Sequence, residues 1–380
     1  MLKRRLYTPG PVPVPDRVRL AMAQPILHHR QADFLPLFRA CREGLAKIFQ
    51  TAEPVVILAG TGTGGMEACV TNLLSPGDHA LVVRGGKFGE RWAEICEAYG
   101  IRTTCIDVEW GQAVNPREVE RALQAAPDIR AVYVQASETS TAVRHPVKEI
   151  AEIVRRSGER LLVVDGITAV GVYELPMDAW GIDALVSGSQ KAFMLPPGLA
   201  FVALSPRARR ASETARCPRF YFDLAEELRV QATDQTAWTP AVSLLMGLGE
   251  ALHIILDEVG LEETWRRTES LAHATREAMR AIGLELYAPT APSPACTAVK
   301  VPAGIDGPAL RKRLRDHYGI SVADGQGKAK GKIFRIAHLG YYDRFDAITA
   351  VAAVEMALAD LGYAGKLGEA ARAATELLRG

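Results

Sequence analysis

The chain has 380 residues, 48% hydrophobic and 23% charged, which at roughly 150 residues per domain predicts two to three packed units and excludes a disordered or fibrous chain. Its 45 Lys and Arg against 44 Asp and Glu leave a formal charge of +1, so there is no global field for nucleic acid or an acidic membrane. No stretch approaches ~18 uncharged apolar residues, and the charges of the first residues have no apolar run behind them, so neither a membrane span nor a signal peptide is expected.

The first segment, Tyr7–Pro15, is rich in proline and predicts a stiff, extended entry. From Pro54 to Ser205, short apolar runs recur at Val55–Ala59, His79–Val83, Ala131–Val134, Leu161–Val164, Ala184–Val186 and Leu199–Leu204. They lack polar alternation, so they read as strands buried on both faces, as in a parallel sheet. Amphipathic stretches such as Glu90–Tyr99 and Val147–Val154 lie between them and bury one stripe. Strand and helix in alternation predict an α/β, doubly wound, mainly parallel sheet. After Thr239 the pattern changes to helices over 240–258 and 261–282. Strand-like pieces follow at Leu284–Tyr287, Thr297–Val301 and Lys332–Ala337, with helices near 307–318, 343–362 and 365–378. The expected layout is an extended segment over 1–20, a large α/β unit over 21–258 and a smaller α+β unit over 259–380. The six cysteines are scattered without a C-x-x-C pair, which predicts free thiols in a reducing cytoplasm and no metal site.

Three strand ends carry chemistry. Gly60-Thr-Gly-Thr-Gly-Gly65 follows the first buried run and opens a helix, where backbone N–H groups and the helix dipole attract an anion. It also satisfies G-x-G-x-x-G, but the next strand ends in Val83-Arg84-Gly85 without the acid that a nicotinamide dinucleotide's ribose requires. Lys191 follows another run in an apolar neighbourhood. A desolvated lysine there frees its amine for Schiff-base chemistry, whereas a lysine snorkelling from the sheet edge would do nothing. Asp165 ends a third run, either as a turn cap or as a buried acid. Together the three supply an amine, an acid and an anion cradle, which are the needs of pyridoxal phosphate.

Beyond these, Tyr7–Pro13, His28–Phe34, Thr61–Ala68, Glu138–Val143, Val164–Gly171, Gly188–Ala192, Trp238–Ser243 and Phe334–Gly340 resemble motifs of the class V aminotransferases, within the fold type I pyridoxal-phosphate enzymes. The resemblance is greatest to the alanine–glyoxylate and serine–pyruvate group and covers nearly the whole chain. It implies that Lys191 bonds the cofactor, Asp165 pairs with its ring nitrogen, and Thr63, Gly64, Gly65 and Gln190 meet or flank its phosphate. Phe88 would stack on the ring and Thr139 would sit by the phenolic oxygen. Thr239 would reach the phosphate of a neighbouring subunit, which implies a homodimer with shared sites. Arg335 would clamp the substrate carboxylate, with Gly10 and Pro11 lining the substrate side. The group often has Trp, His and Gly where this chain has Phe88, Gly65 and Ala142.

The implied activity is a ping-pong transamination from a small amino acid, such as alanine or serine, to a 2-oxo acid such as glyoxylate or pyruvate. Aspartate, phosphoserine or aminoethylphosphonate are alternative donors. A cysteine desulfurase is disfavoured by Gln190 before the lysine and by Cys296 beside a strand. A nicotinamide dehydrogenase rests on the glycine pattern alone. His29, Arg30, His338 and the Gly325–Lys332 loop have no assigned role.

Overall fold

A computed structural model describes residues 2–379. Seven strands form the main sheet: β1 (Val55–Gly60), β2 (His79–Arg84), β3 (Arg102–Asp107), β4 (Ile129–Gln135), β5 (Leu161–Asp165), β6 (Ala184–Gly188) and β7 (Gly198–Leu204). Their order is β1-β7-β6-β5-β4-β2-β3. Neighbours pair in parallel except β7, which runs against both β6 and β1.

The sheet is mainly parallel, as expected, with β7 its one reversed strand. Burial on both faces marks an interior strand but not its direction. The segment joining β6 to β7 is too short for a crossover helix, which takes a dozen or more residues, so the chain returns antiparallel. The sequence pattern also missed β3. It is an edge strand whose Arg102, Thr103 and Asp107 face solvent, so no apolar run announces it. The expected strand at Leu284–Tyr287 is reduced to an isolated bridge from Leu286 to Val299.

Successive residues of each strand feed two cores. Val55, Ile57, Leu162, Val164, Leu185 and Phe201 face one side of the sheet. Val56, Leu58, Leu161, Val163, Val186 and Val202 face the other. Each such side chain contributes about 1.5–3 kcal/mol when fully buried. A third core, around Phe334, Ile336, Leu310 and Val354, sits under a smaller antiparallel sheet of Cys296–Lys300, Ile333–Ala337 and Ala323–Asp324. Helix Arg344–Asp360 over this core starts in a capping box made by Asp343 and Asp346.

The entry segment joins the two parts. Arg5–Leu6 pairs in parallel with Ile320–Ser321. The chain then crosses to the main sheet before helix Asp16–Met22 begins, so it is extended only as far as Pro15. Among the described residues no helix is long and apolar enough to cross a membrane.

Candidate active site

The carboxyl ends of β1, β2, β4, β5 and β6 share one edge of the sheet, where ligands of open α/β sheets bind. Antiparallel β7 starts at the same edge, with Gly198 opposite Gly60. The segment between β6 and β7 is held at its root by Ser189. Its hydroxyl donates to the Pro196 carbonyl at 2.7 Å and accepts from the Leu199 amide at 3.2 Å.

Lys191 rises from this pinned segment and is buried. Its amine donates to the carbonyl of Pro9 at 2.6 Å. Burial pushes the ammonium down from 10.5 to about 8. Gly10 lies directly against the lysine, with a φ of +125°, and a β-carbon there would run into Nζ and stand 2.6 Å from Cε. Gly10→Ala is therefore expected to displace Lys191 or the entry segment and to cost about 1–3 kcal/mol of stability, with a fall in turnover. Chemical denaturation beside an activity assay checks this, and a variant unchanged in both would contradict the placement of Lys191.

Asp165, at the end of β5, is 3% exposed, and its Oδ1 accepts the Ile167 amide at 2.8 Å. No other hydrogen bond reaches this carboxylate among the described residues. Burial pushes it up from 3.8 to about 7, with nearby Glu138 adding to the rise and Arg91 and Lys191 opposing it.

Helix α1 (Gly62–Leu73) follows β1. The Gly65 amide donates to the Thr61 carbonyl at 3.2 Å, within the helix. The amides of Gly62, Thr63 and Gly64 before it have no side-chain cap, which leaves the N-terminal anion site of α1 open. The glycine density is explained by protein neighbours. A β-carbon on Gly64 would lie 2.9 Å from the Phe222 ring, and one on Gly65 would lie 2.7 Å from Val186. A side chain at 65, such as the group's His, does not fit this packing. Gly62 faces Gly188 across the same space, and the side-chain Oε1 of Gln190 nearby is buried without a partner among the described residues.

Helix α2 (Lys87–Ala98) follows β2 and carries Phe88 in its first turn. The Arg91 guanidinium lies 4.9 Å from the Phe88 ring centre and donates to Thr63 Oγ1 at 3.1 Å, which ties α2 to the first turn of α1. Thr139 follows β4. Its hydroxyl meets that of Thr168 at 2.6 Å, and its carbonyl accepts Arg335 Nη1 at 2.7 Å.

Arg335 lies on strand Ile333–Ala337 and is 5% exposed. Nε and Nη2 both donate to the Asp324 carbonyl, at 3.0 and 2.6 Å. All its bonds are thus to backbone, and no carboxylate neutralises it among the described residues. A buried cation without an anion is costly and is a natural receptor for one.

Other expected residues lie apart. Thr239 is exposed and makes no hydrogen bond among the described residues. Pro11 is exposed beside Gly10. Ala142 sits at φ 59°, where glycine is at ease. His338 is buried against Thr297 at 2.9 Å, and burial pushes it down to about 3, so it is structural. Arg30 pairs with Gln235 on the surface. The Gly325–Lys332 loop packs at Gly327 on Trp110 and Lys87. Cys296 is buried in a strand with its thiol pushed up to about 11, unsuited to nucleophilic work. Arg84, at the end of β2 where a dinucleotide site needs an acid, pairs with Asp107 at 2.8 and 2.9 Å.

Two residues went unassigned from sequence. Arg91 links both helix starts, and Glu138 lies fully buried beneath Phe88. A charged residue in the otherwise neutral run Gln135–Ala142, straight after a buried strand, was the available signal for the second.

The open α1 terminus, the neutralisable Lys191 amine and the under-bonded Asp165 fit pyridoxal phosphate. The first suits its phosphate, the second its aldehyde and the last its ring nitrogen. Among the described residues no group of three His, Cys, Asp or Glu side chains is arranged to hold a metal.

Comparison with known proteins agrees. The family model "Aminotransferase class-V" matches residues 20–342. The chain is 37% identical to the L-aspartate–glyoxylate aminotransferase of Paracoccus denitrificans, covering 98% of this chain and 96% of that protein. It is 43% identical to a Synechococcus protein named soluble hydrogenase, small subunit, over 95% of this chain and 94% of that one. The crystal structure of the alanine–glyoxylate aminotransferase of Nostoc superposes with a TM-score of 0.88 at 30% identity, covering 94% of this chain and 96% of that one. With its fold and its strand-end lysine, acid and glycine turn, the chain belongs to the class V aminotransferases, enzymes that use pyridoxal phosphate.

Proposed function

We propose that the enzyme transfers the amino group of a small amino acid, such as alanine, serine or aspartate, to glyoxylate or a similar 2-oxo acid, in two half-reactions. The observation that carries this reading is buried Arg335, a cation without an acid partner in the same neighbourhood as Lys191 and Asp165. A guanidinium has five N–H donors. Three are spent on the carbonyls of Asp324 and Thr139, which fixes the plane and leaves one N–H on each terminal nitrogen for a substrate carboxylate. Glyoxylate acceptors in the names of relatives support a small substrate.

Bound pyridoxal phosphate supplies the electron sink that lets an amino acid's Cα–H bond ionise. The chain does the rest. The first-turn amides of α1, with Thr63, would hold the cofactor's phosphate. Asp165 would keep positive charge on the ring nitrogen, with Phe88 placed to stack on the ring and Thr139 to meet the phenolic oxygen. Lys191, with its ammonium lowered to about 8, takes the proton from the substrate α-carbon and returns it on the other side of the transfer. Burial of Lys191, Asp165 and Arg335 keeps water from the proton in flight.

The reading includes a cytoplasmic homodimer. Exposed Phe220, at 75%, and Tyr221 cluster with Trp238 next to Thr239, an aromatic patch that a second subunit would cover. The proposed partition is a large cofactor unit over 21–258 and a small unit over 259–380, with Arg335 brought in by the latter.

A donor and acceptor panel tests the activity. Purified yellow enzyme is expected to bleach with alanine, serine or aspartate and to regain its colour with glyoxylate or pyruvate. Failure to bleach with any donor would refute the reading. Bleaching by phosphoserine or aminoethylphosphonate alone would move it to those substrates.

A further inference from the structure

The two helices that start at the site differ at their N-termini. In α1 the end is open. In α2 it is filled from within: the Lys87 amide donates to Ser140 Oγ at 3.0 Å, and the amides of Phe88 and Gly89 donate to Glu138 Oε2 at 3.1 and 3.0 Å. The other oxygen, Oε1, accepts the Ser140 amide at 3.1 Å and its hydroxyl at 2.5 Å. All three first-turn donors of α2 thus end on a carboxylate and a hydroxyl that lie more than forty residues further along the chain.

The arrangement is more than a helix cap. Glu138 is 0% exposed, and among the described residues no basic side chain hydrogen-bonds or ion-pairs with its carboxylate, which meets backbone amides instead. Gly86 leaves it room, since a β-carbon there would stand 2.5 Å from the Glu138 carboxyl carbon. The turn that it grips carries Phe88 and, one turn on, Arg91, which reaches the ring of Phe88 and the hydroxyl of Thr63.

We propose that Glu138 is a positioning residue: an internal anion that occupies the N-terminus of α2 and thereby sets Phe88 against the cofactor ring. It does not touch the reacting atoms. By filling α2 it also leaves α1 as the one open helix terminus of the pair, so the phosphate has a single seat. The proposal rests on the pyridoxal-phosphate reading above.

The test is a double-mutant cycle of Glu138→Gln and Phe88→Ala, read without turnover. Its readouts are cofactor affinity, from quenching of protein fluorescence as the cofactor is titrated, and the visible circular dichroism of the bound cofactor. A glutamine amide presents N–H where two donors now converge, so at least one pair of bonds is lost. In the Phe88 background, E138Q is expected to weaken the cofactor about tenfold and to diminish its dichroism. In the Phe88→Ala background the further loss should fall below about twofold, because the two changes act through one contact.

Equal losses in both backgrounds would overturn the proposal, as would a lower melting temperature with affinity and dichroism unchanged. If E138Q does not accumulate as folded protein, Ser140→Ala takes its place in the same cycle with the same readings. A wild-type protein that binds no pyridoxal phosphate would refute the functional reading instead, so the two failures are distinct.

Discussion

Lys191→Ala is expected to lower half-reaction turnover by about 10³-fold or more, while the protein still folds and still binds cofactor at its phosphate and ring nitrogen. The loss has two sources. The amine that carries the proton is gone, and among the described residues no other base stands in its place. Neighbouring Cys296 is held protonated by burial, and Arg335 does not titrate in this range. The fold should be nearly indifferent, because the lysine's single hydrogen bond, to Pro9, is offset by the cost of burying an ammonium. Gly10 then faces an opening the size of the lost side chain, so a small added amine such as methylamine should restore part of the rate. Single-turnover absorbance with alanine measures both effects. Near-normal rates would end the assignment of Lys191 as the proton carrier.

Asp165→Asn separates catalysis from stability. Turnover should fall by about 10²–10⁴-fold, since removing one member of a buried charge pair costs some 3–5 kcal/mol. Without cofactor the sign reverses. Burial raises the carboxyl from 3.8 to about 7, so the folded chain binds this proton more tightly than the unfolded chain does. Stability from this group is complete below about pH 4 and is lost as pH rises through about 7. At pH 8 the apoprotein carries a penalty of about 4 kcal/mol that Asn does not have. The variant apoprotein should therefore melt above wild type at pH 8, and the gap should close toward pH 4. Cofactor should erase the gap by giving the carboxylate a cation. Melting curves across pH, with and without pyridoxal phosphate, check each part. A variant apoprotein less stable than wild type at pH 8 would show that Asp165 is not a strained acid.

The reach of sequence reading follows from where each signal resides. Buried strands such as Val55–Gly60 and Leu161–Asp165 announce themselves because both faces must be apolar, and the small or charged residues at their ends stand out by contrast. That contrast made Lys191, Asp165 and the glycine turn legible. Edge strand β3 has one wet side and no such contrast. The reversal of β7 is set by the length of a connection, not by residues in the strand. The polar partners of Lys191 and Arg335 were hidden for another reason. They are the main-chain carbonyls of Pro9, Asp324 and Thr139, and a carbonyl is the same at every position in a sequence. The role of Glu138 depends on amides some fifty residues upstream, which no local pattern links to it.

The entry segment has a consequence for the order in which the protein matures on the ribosome. Its strand partner, Ile320–Ser321, lies far downstream, and the Pro9 carbonyl awaits an amine 182 residues further along. The main sheet has all its strands once Leu204 has emerged, whereas the pairing of Arg5–Leu6 still waits for Ile320–Ser321. Arg5–Leu6 is thus made before the sheet and docks after it, and a nascent chain halted before residue 320 would hold a formed sheet with this strand unpaired.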